Sequence, residues 1–110
     1  MFYKDTGSQK IAVFAYDSTT GAPKTGDAAN ISAQISKDGG AAAATNDVNP
    51  TELDAADHPG IYIFDMTQAE SNANLLNLTP VSATANILLE PVIIYTEPTE
   101  RQADVAKVSG

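Results

Sequence analysis

Eleven consecutive residues constrain the fold of this 110-residue chain more than any other stretch: Gly60-Ile61-Tyr62-Ile63-Phe64-Asp65-Met66-Thr67-Gln68-Ala69-Glu70. β-Branched and aromatic residues follow a turn-forming glycine, so Ile61 to Phe64 reads as a strand. The strand runs directly into Thr67-Gln68-Ala69-Glu70, the pattern of a capping box, in which the Thr and Glu side chains each satisfy the other's backbone N–H. This predicts a strand that ends in a helix start, with a short helix from about Gln68 to Leu75 and Ala69, Ala73 and Leu76 near one face.

The rest of the chain is strands and turns. Gln9 to Asp17 reads as a first strand, and Ser18 to Asp27 as a loop dense in turn formers. Asn30 to Lys37 alternates, with Ile31, Ala33 and Ile35 on one face and Ser32, Gln34 and Ser36 on the other, the mark of a half-buried strand. Asp38-Gly39-Gly40 suits a tight hairpin, with Ala41 to Thr45 returning. Thr51 to Leu53 is a brief strand, and Ala55 to Gly60 a turn. Leu78 to Thr84 and Ala85 to Thr96 complete the set. Pro80 should lie at an edge or a strand start, and Pro91 should interrupt the last strand. About seven short strands at this spacing predict an all-β, immunoglobulin-like two-layer sandwich over residues 11–96. A transthyretin-like or small-barrel topology stays open. Residues 1–10 and 97–110 read as terminal arms, the second reaching up to about 45 Å if extended.

Some strands carry more apolar surface than a sandwich can bury. Ile61-Tyr62-Ile63-Phe64, Ile87-Leu88-Leu89 and Val92-Ile93-Ile94-Tyr95 are apolar on both faces. Leaving a large aliphatic side chain exposed forfeits roughly 1.5–3 kcal/mol. The second face therefore needs cover, from the helix after Thr67 or from another subunit. The candidate interface residues are Phe2, Tyr3, Ile61, Ile63, Ile93, Tyr95, Val105 and Val108.

The net charge is −8, and residues 11–96 hold only Lys24 and Lys37 as cations. A surface of this sign repels phosphate backbones and anionic lipid, which argues against nucleic-acid and membrane partners. No apolar run approaches the ~20 residues of a membrane span. The first residues lack the apolar core of a signal peptide, and a chain starting at Met1 points to a cytoplasmic product. Without cysteine there is neither a disulfide nor a thiolate metal site. The single histidine, His58, has no partner with which to build a zinc site. Asp47, Glu52, Asp54 and Asp57 cluster in sequence and offer oxygen ligands for calcium, but not in the EF-hand order, so a solvated acidic loop is the expectation. No nucleophile elbow or phosphate-binding loop is present. The expectation is a protein without catalytic, cofactor or metal sites. Two Asn-x-Ser/Thr sequons, at Asn30 and Asn77, would matter only in a eukaryotic secreted protein.

Four motifs follow one another: Gly21-Ala22-Pro23-Lys24-Thr25-Gly26, Lys37-Asp38-Gly39-Gly40, Asn49-Pro50-Thr51-Glu52-Leu53, and the Gly60 to Glu70 segment. Their order resembles small immunoglobulin-like structural domains of tailed bacteriophages and prophages, over about Ile11 to Thr96. The resemblance implies a non-enzymatic virion component whose partners are other virion proteins, major capsid or tail, and which self-associates. Within it, a capsid decoration or cement protein suits a lone domain with arms. A tail, neck, baseplate or fibre component is the alternative. A receptor- or glycan-binding module is the reading from another class. The motif residues occupy turn and core positions, so no binding site carries over.

Overall fold

The computed structural model describes residues 1–98. Eight strands form two four-stranded antiparallel sheets: β1 (Gln9–Asp17), β2 (Ile31–Lys37), β3 (Ala43–Ala44), β4 (Thr51–Asp54), β5 (His58–Met66), β6 (Leu75–Ser82), β7 (Ile87–Leu89) and β8 (Val92–Tyr95). One four-residue helix, α1 (Gln68–Ser71), interrupts them. The sheet orders are β4-β5-β1-β7 and β3-β2-β6-β8. Taking β1 as strand B of an immunoglobulin domain, these orders become D-E-B and C′-C-F-G. The place beside B that strand A would hold is filled by β7, which comes from between F and G. Two separate sheets with eight strands replace the expected seven and set aside the closed barrel.

The core forms where alternating residues of both sheets face each other. Ile11, Val13, Ala15, Tyr62, Phe64 and Met66 come from one sheet, and Ile31, Ala33, Ile35, Leu76 and Leu78 from the other. Val92 and Ile94 of β8 and Leu89 of β7 pack on its rim. Pro91 explains how one apolar run serves both layers. Residues 87–89 pair with β1, residues 92–95 pair with β6, and the chain crosses between the sheets at Glu90-Pro91. Pro80 sits inside β6 opposite Ala33, not at its start. It is tolerated because β8 reaches only Leu78. Beyond that point β6 is an edge, and Pro80 turns its missing donor to the open side.

The capping box is present as the sequence predicts. Thr67 Oγ1 accepts from the Glu70 N–H at 3.1 Å, and a Glu70 carboxylate oxygen accepts from the Thr67 N–H at 2.9 Å. The helix, however, stops at Ser71 and not near Leu75. Ser71 is fully buried and bonds back to the Gln68 carbonyl, a competition that ends short helices. Leu75, Leu76 and Leu78 then follow strand periodicity in β6, with Leu76 and Leu78 inward. Residues 2–6 lie against the domain: Phe2 packs on the core, Tyr3 bridges Glu97, and Thr6 exchanges hydrogen bonds with the Ser71 hydroxyl. Gln9 closes the same segment through the Tyr3 and Thr6 carbonyls.

Gly60 is not the turn glycine that the sequence suggests. It lies within β5, buried, at φ +86°, where two extra residues interrupt the register with β4. Such a bulge needs the positive φ that glycine adopts without strain. It also lets β1 approach: a Cβ at this position would meet Phe14 Cε1 at 2.7 Å and the Ala15 carbonyl oxygen at 2.8 Å.

Candidate interaction surface

Alternation along β1 and β5 sends Ile11, Val13, Tyr62 and Phe64 inward, so Ala12, Phe14, Ile61 and Ile63 must point outward. Strand pairing assembles these residues into one face. Phe14 lies opposite Ile61, Ala12 opposite Ile63, and Tyr16 opposite Leu88 on β7. Leu53 on β4 extends the face, lining a shallow groove of about 240 Å³ with Ile63, Thr51, Lys10 and Asp65. Phe14 is 40% exposed, Leu53 50% and Leu88 50%. Phe14 and Tyr16 stack with ring centroids 5.9 Å apart. Lys10 and Asp65, directly opposite each other on the two central strands, form an ion pair at one end of the face. Covering three half-exposed side chains of this size would contribute roughly 2–4 kcal/mol. Among the described residues nothing covers them, and α1 does not shield Ile61 and Ile63.

The other sheet presents a different outer face. Ser32, Gln34, Asn77 and Thr79 make its centre polar. Ile93, 62% exposed, and Tyr95, 75% exposed, stand at its β8 edge, with Val81 also exposed. The candidate interface residues therefore do not converge. Ile61 and Ile63 belong to one sheet, Ile93 and Tyr95 to the other, and Phe2 and Tyr3 are tied into the domain. Val105 and Val108 lie outside the described residues. Phe14, Tyr16 and Leu53 were not among the candidates. A signal for the first two was available, because Ile11 to Tyr16 is an unbroken apolar run and so apolar on both faces.

Several polar side chains hold loops. Asp27 is 1% exposed and accepts hydrogen bonds from Ser82 Oγ (2.6 Å), Thr84 Oγ1 (2.6 Å) and Asn30 Nδ2 (3.0 Å). Burial pushes its pKa up, but these three donors outweigh burial, and the carboxyl titrates below its ordinary value. The buried Tyr62 hydroxyl donates to the Lys24 carbonyl at 2.8 Å and accepts from the Asp27 N–H at 3.1 Å. Desolvation raises its pKa. Tyr62 and Asp27 together pin the loop between β1 and β2 to the sandwich.

The acidic stretch behaves similarly. Asp47 accepts from the Asp65 N–H, Glu52 from the Gly26 N–H, and Asp54 from the Ala56 and Asp57 N–H groups. The last two bonds lower the Asp54 pKa. Among the described residues no three His, Cys, Asp or Glu side chains gather in a metal-binding arrangement. His58 is exposed at the start of β5 opposite Asp54. An open groove of about 610 Å³ is lined by Lys10, Asn46, Asp47, Asp65 and Thr67 among others. Its carboxylates are bonded as described, and His58 lies elsewhere. Among the described residues no helix is long and apolar enough to cross a membrane. Comparison with models of protein families, with curated proteins and with solved structures gave no match.

Proposed function

We propose that this chain is a non-enzymatic structural protein of a tailed-phage virion, a decoration or cement subunit that binds the capsid surface in many copies. The observation that carries this reading is the order of four motifs, from Gly21 to Glu70, which resembles that of phage immunoglobulin-like domains. The two-layer β-sandwich is compatible with that resemblance. An outer sheet face rich in Phe14, Leu53, Ile61, Ile63 and Leu88 gives such a subunit a contact surface. The acidic charge suits solubility before assembly and disfavours contact with packaged nucleic acid. The subunit is made in the host cytoplasm and works in the particle, beside other virion proteins.

Quantitative mass spectrometry of purified particles tests the reading. Hundreds of copies per particle are expected of a decoration protein. Roughly a dozen would reassign it to the tail, neck or baseplate, and its absence from particles would refute the virion role. Saturable binding of the isolated domain to cells or glycans would support a receptor-binding module instead.

A further inference from the structure

We propose that the outer face of the β4-β5-β1-β7 sheet is a docking surface for a second copy of the same chain, in a two-fold, face-to-face dimer. The inference rests on the sheet geometry and is independent of the virion reading.

The first argument is charge. The chain carries −8, yet among the described residues this face carries one cation and one anion, Lys10 and Asp65, with Glu90 at its rim near the Tyr16 hydroxyl. A nearly neutral face is where an acidic chain can meet its own copy with least repulsion.

The second argument is self-complementarity. Lys10 pairs with Asp65, Ala12 with Ile63 and Phe14 with Ile61 across the two central strands. A two-fold axis parallel to the strands and midway between β1 and β5 exchanges those strands. It sets Lys10 of each copy over Asp65 of the other, Ile63 over the small Ala12, and Phe14 over Ile61. The Leu53 side of one copy comes over the Leu88 side of the other. Opposite charges meet, the smallest side chain meets a large one, and apolar rims meet each other. Facing sheets pack with strand directions within about 30° of each other, a range that this axis satisfies.

The third argument is area. Strands of 4, 9, 9 and 3 residues at about 3.3 Å rise and 4.8 Å spacing offer roughly 400 Å² per copy, so a dimer buries roughly 800 Å², the size of a weak, transient interface. The expected association is weak, with Kd between about 10 μM and 1 mM.

Sedimentation of the purified full chain from about 10 μM to 1 mM should show a reversible monomer–dimer equilibrium in this range. Leu53→Glu and Leu88→Glu, both at half-exposed positions, should each weaken dimerisation at least tenfold without shifting the melting temperature. Lys10→Asp should weaken it, and Lys10→Asp combined with Asp65→Lys should restore it. A chain that remains monomeric throughout, or a dimer indifferent to these substitutions, would overturn the proposal. Dimerisation lost in Leu53→Glu without rescue in the Lys10/Asp65 exchange would overturn the two-fold arrangement.

Discussion

Gly60→Ala is the most incisive perturbation of this fold, because two separable penalties fall on one methyl group. The first is conformational: at φ +86° an L-residue costs roughly 1–2 kcal/mol. The second is steric. The new Cβ would sit 2.7 Å from Phe14 Cε1, 2.8 Å from the Ala15 carbonyl oxygen and 2.9 Å from Pro23 Cβ. The Phe14 ring can swing away, but the Ala15 carbonyl belongs to the central strand β1 and accepts from the Lys24 N–H. Relief therefore requires β1 and β5 to separate, an overpacking penalty of about 1–3 kcal/mol. The sum, about 2–5 kcal/mol, is a large share of the ~5–15 kcal/mol typical of a domain. Thermal unfolding followed by circular dichroism should show the melting temperature falling by roughly 10–30 °C. Gly39→Ala is the matched control. Gly39 has φ +75° and nothing within 4 Å of its virtual Cβ, so only the conformational part, about 1–2 kcal/mol, applies. Equal effects at the two positions would refute the close approach of β1 to Gly60. A Gly60→Ala protein melting within ~3 °C of the parent would refute the bulge geometry altogether.

Three further outcomes follow from the buried polar groups and the cap. Tyr62→Phe should destabilise by about 1–3 kcal/mol in urea titration, because the Asp27 N–H and the Lys24 carbonyl lose a buried partner. Thr67→Ala should lose about 1 kcal/mol through the cap, and Thr67→Ser should retain most of it. The folded-state pKa of Asp27 is lowered, so its contribution is full above the ordinary carboxylate value of 3.8 and is lost as pH falls through the folded value. Asp27→Asn should therefore be less stable than the parent at neutral pH. The gap, measured by denaturant titration, should narrow from about pH 5 to pH 2; a constant gap would contradict the lowered pKa.

Local patterns proved legible where one interaction dominates. The Thr67–Glu70 box and the alternation of Ile31, Ala33 and Ile35 are short-range features, and each appears as the sequence predicts. Helix length was less legible. A cap fixes where a helix begins, but Ser71 and the leucines at 75, 76 and 78 were drawn into tertiary pairing that ended it. The contact surface was half legible. Two-sided apolar runs marked strands with an excess of apolar surface. Which residues of those runs face outward, and that Phe14, Leu53 and Leu88 join Ile61 on one sheet, depends on pairing between segments far apart in the chain.

By itself the sequence determined strand identity, the helix start, the break at Pro91 and the absence of thiol chemistry, because each follows from a residue's own backbone preference or side-chain chemistry. Tertiary structure alone decided that β7 and β8 join opposite sheets and that Gly60 serves a close approach. It also decided that one outer face is apolar while the other is largely polar. Those outcomes depend on which strand lies beside which, and strand order is set by burial summed over the whole core and not by any local segment.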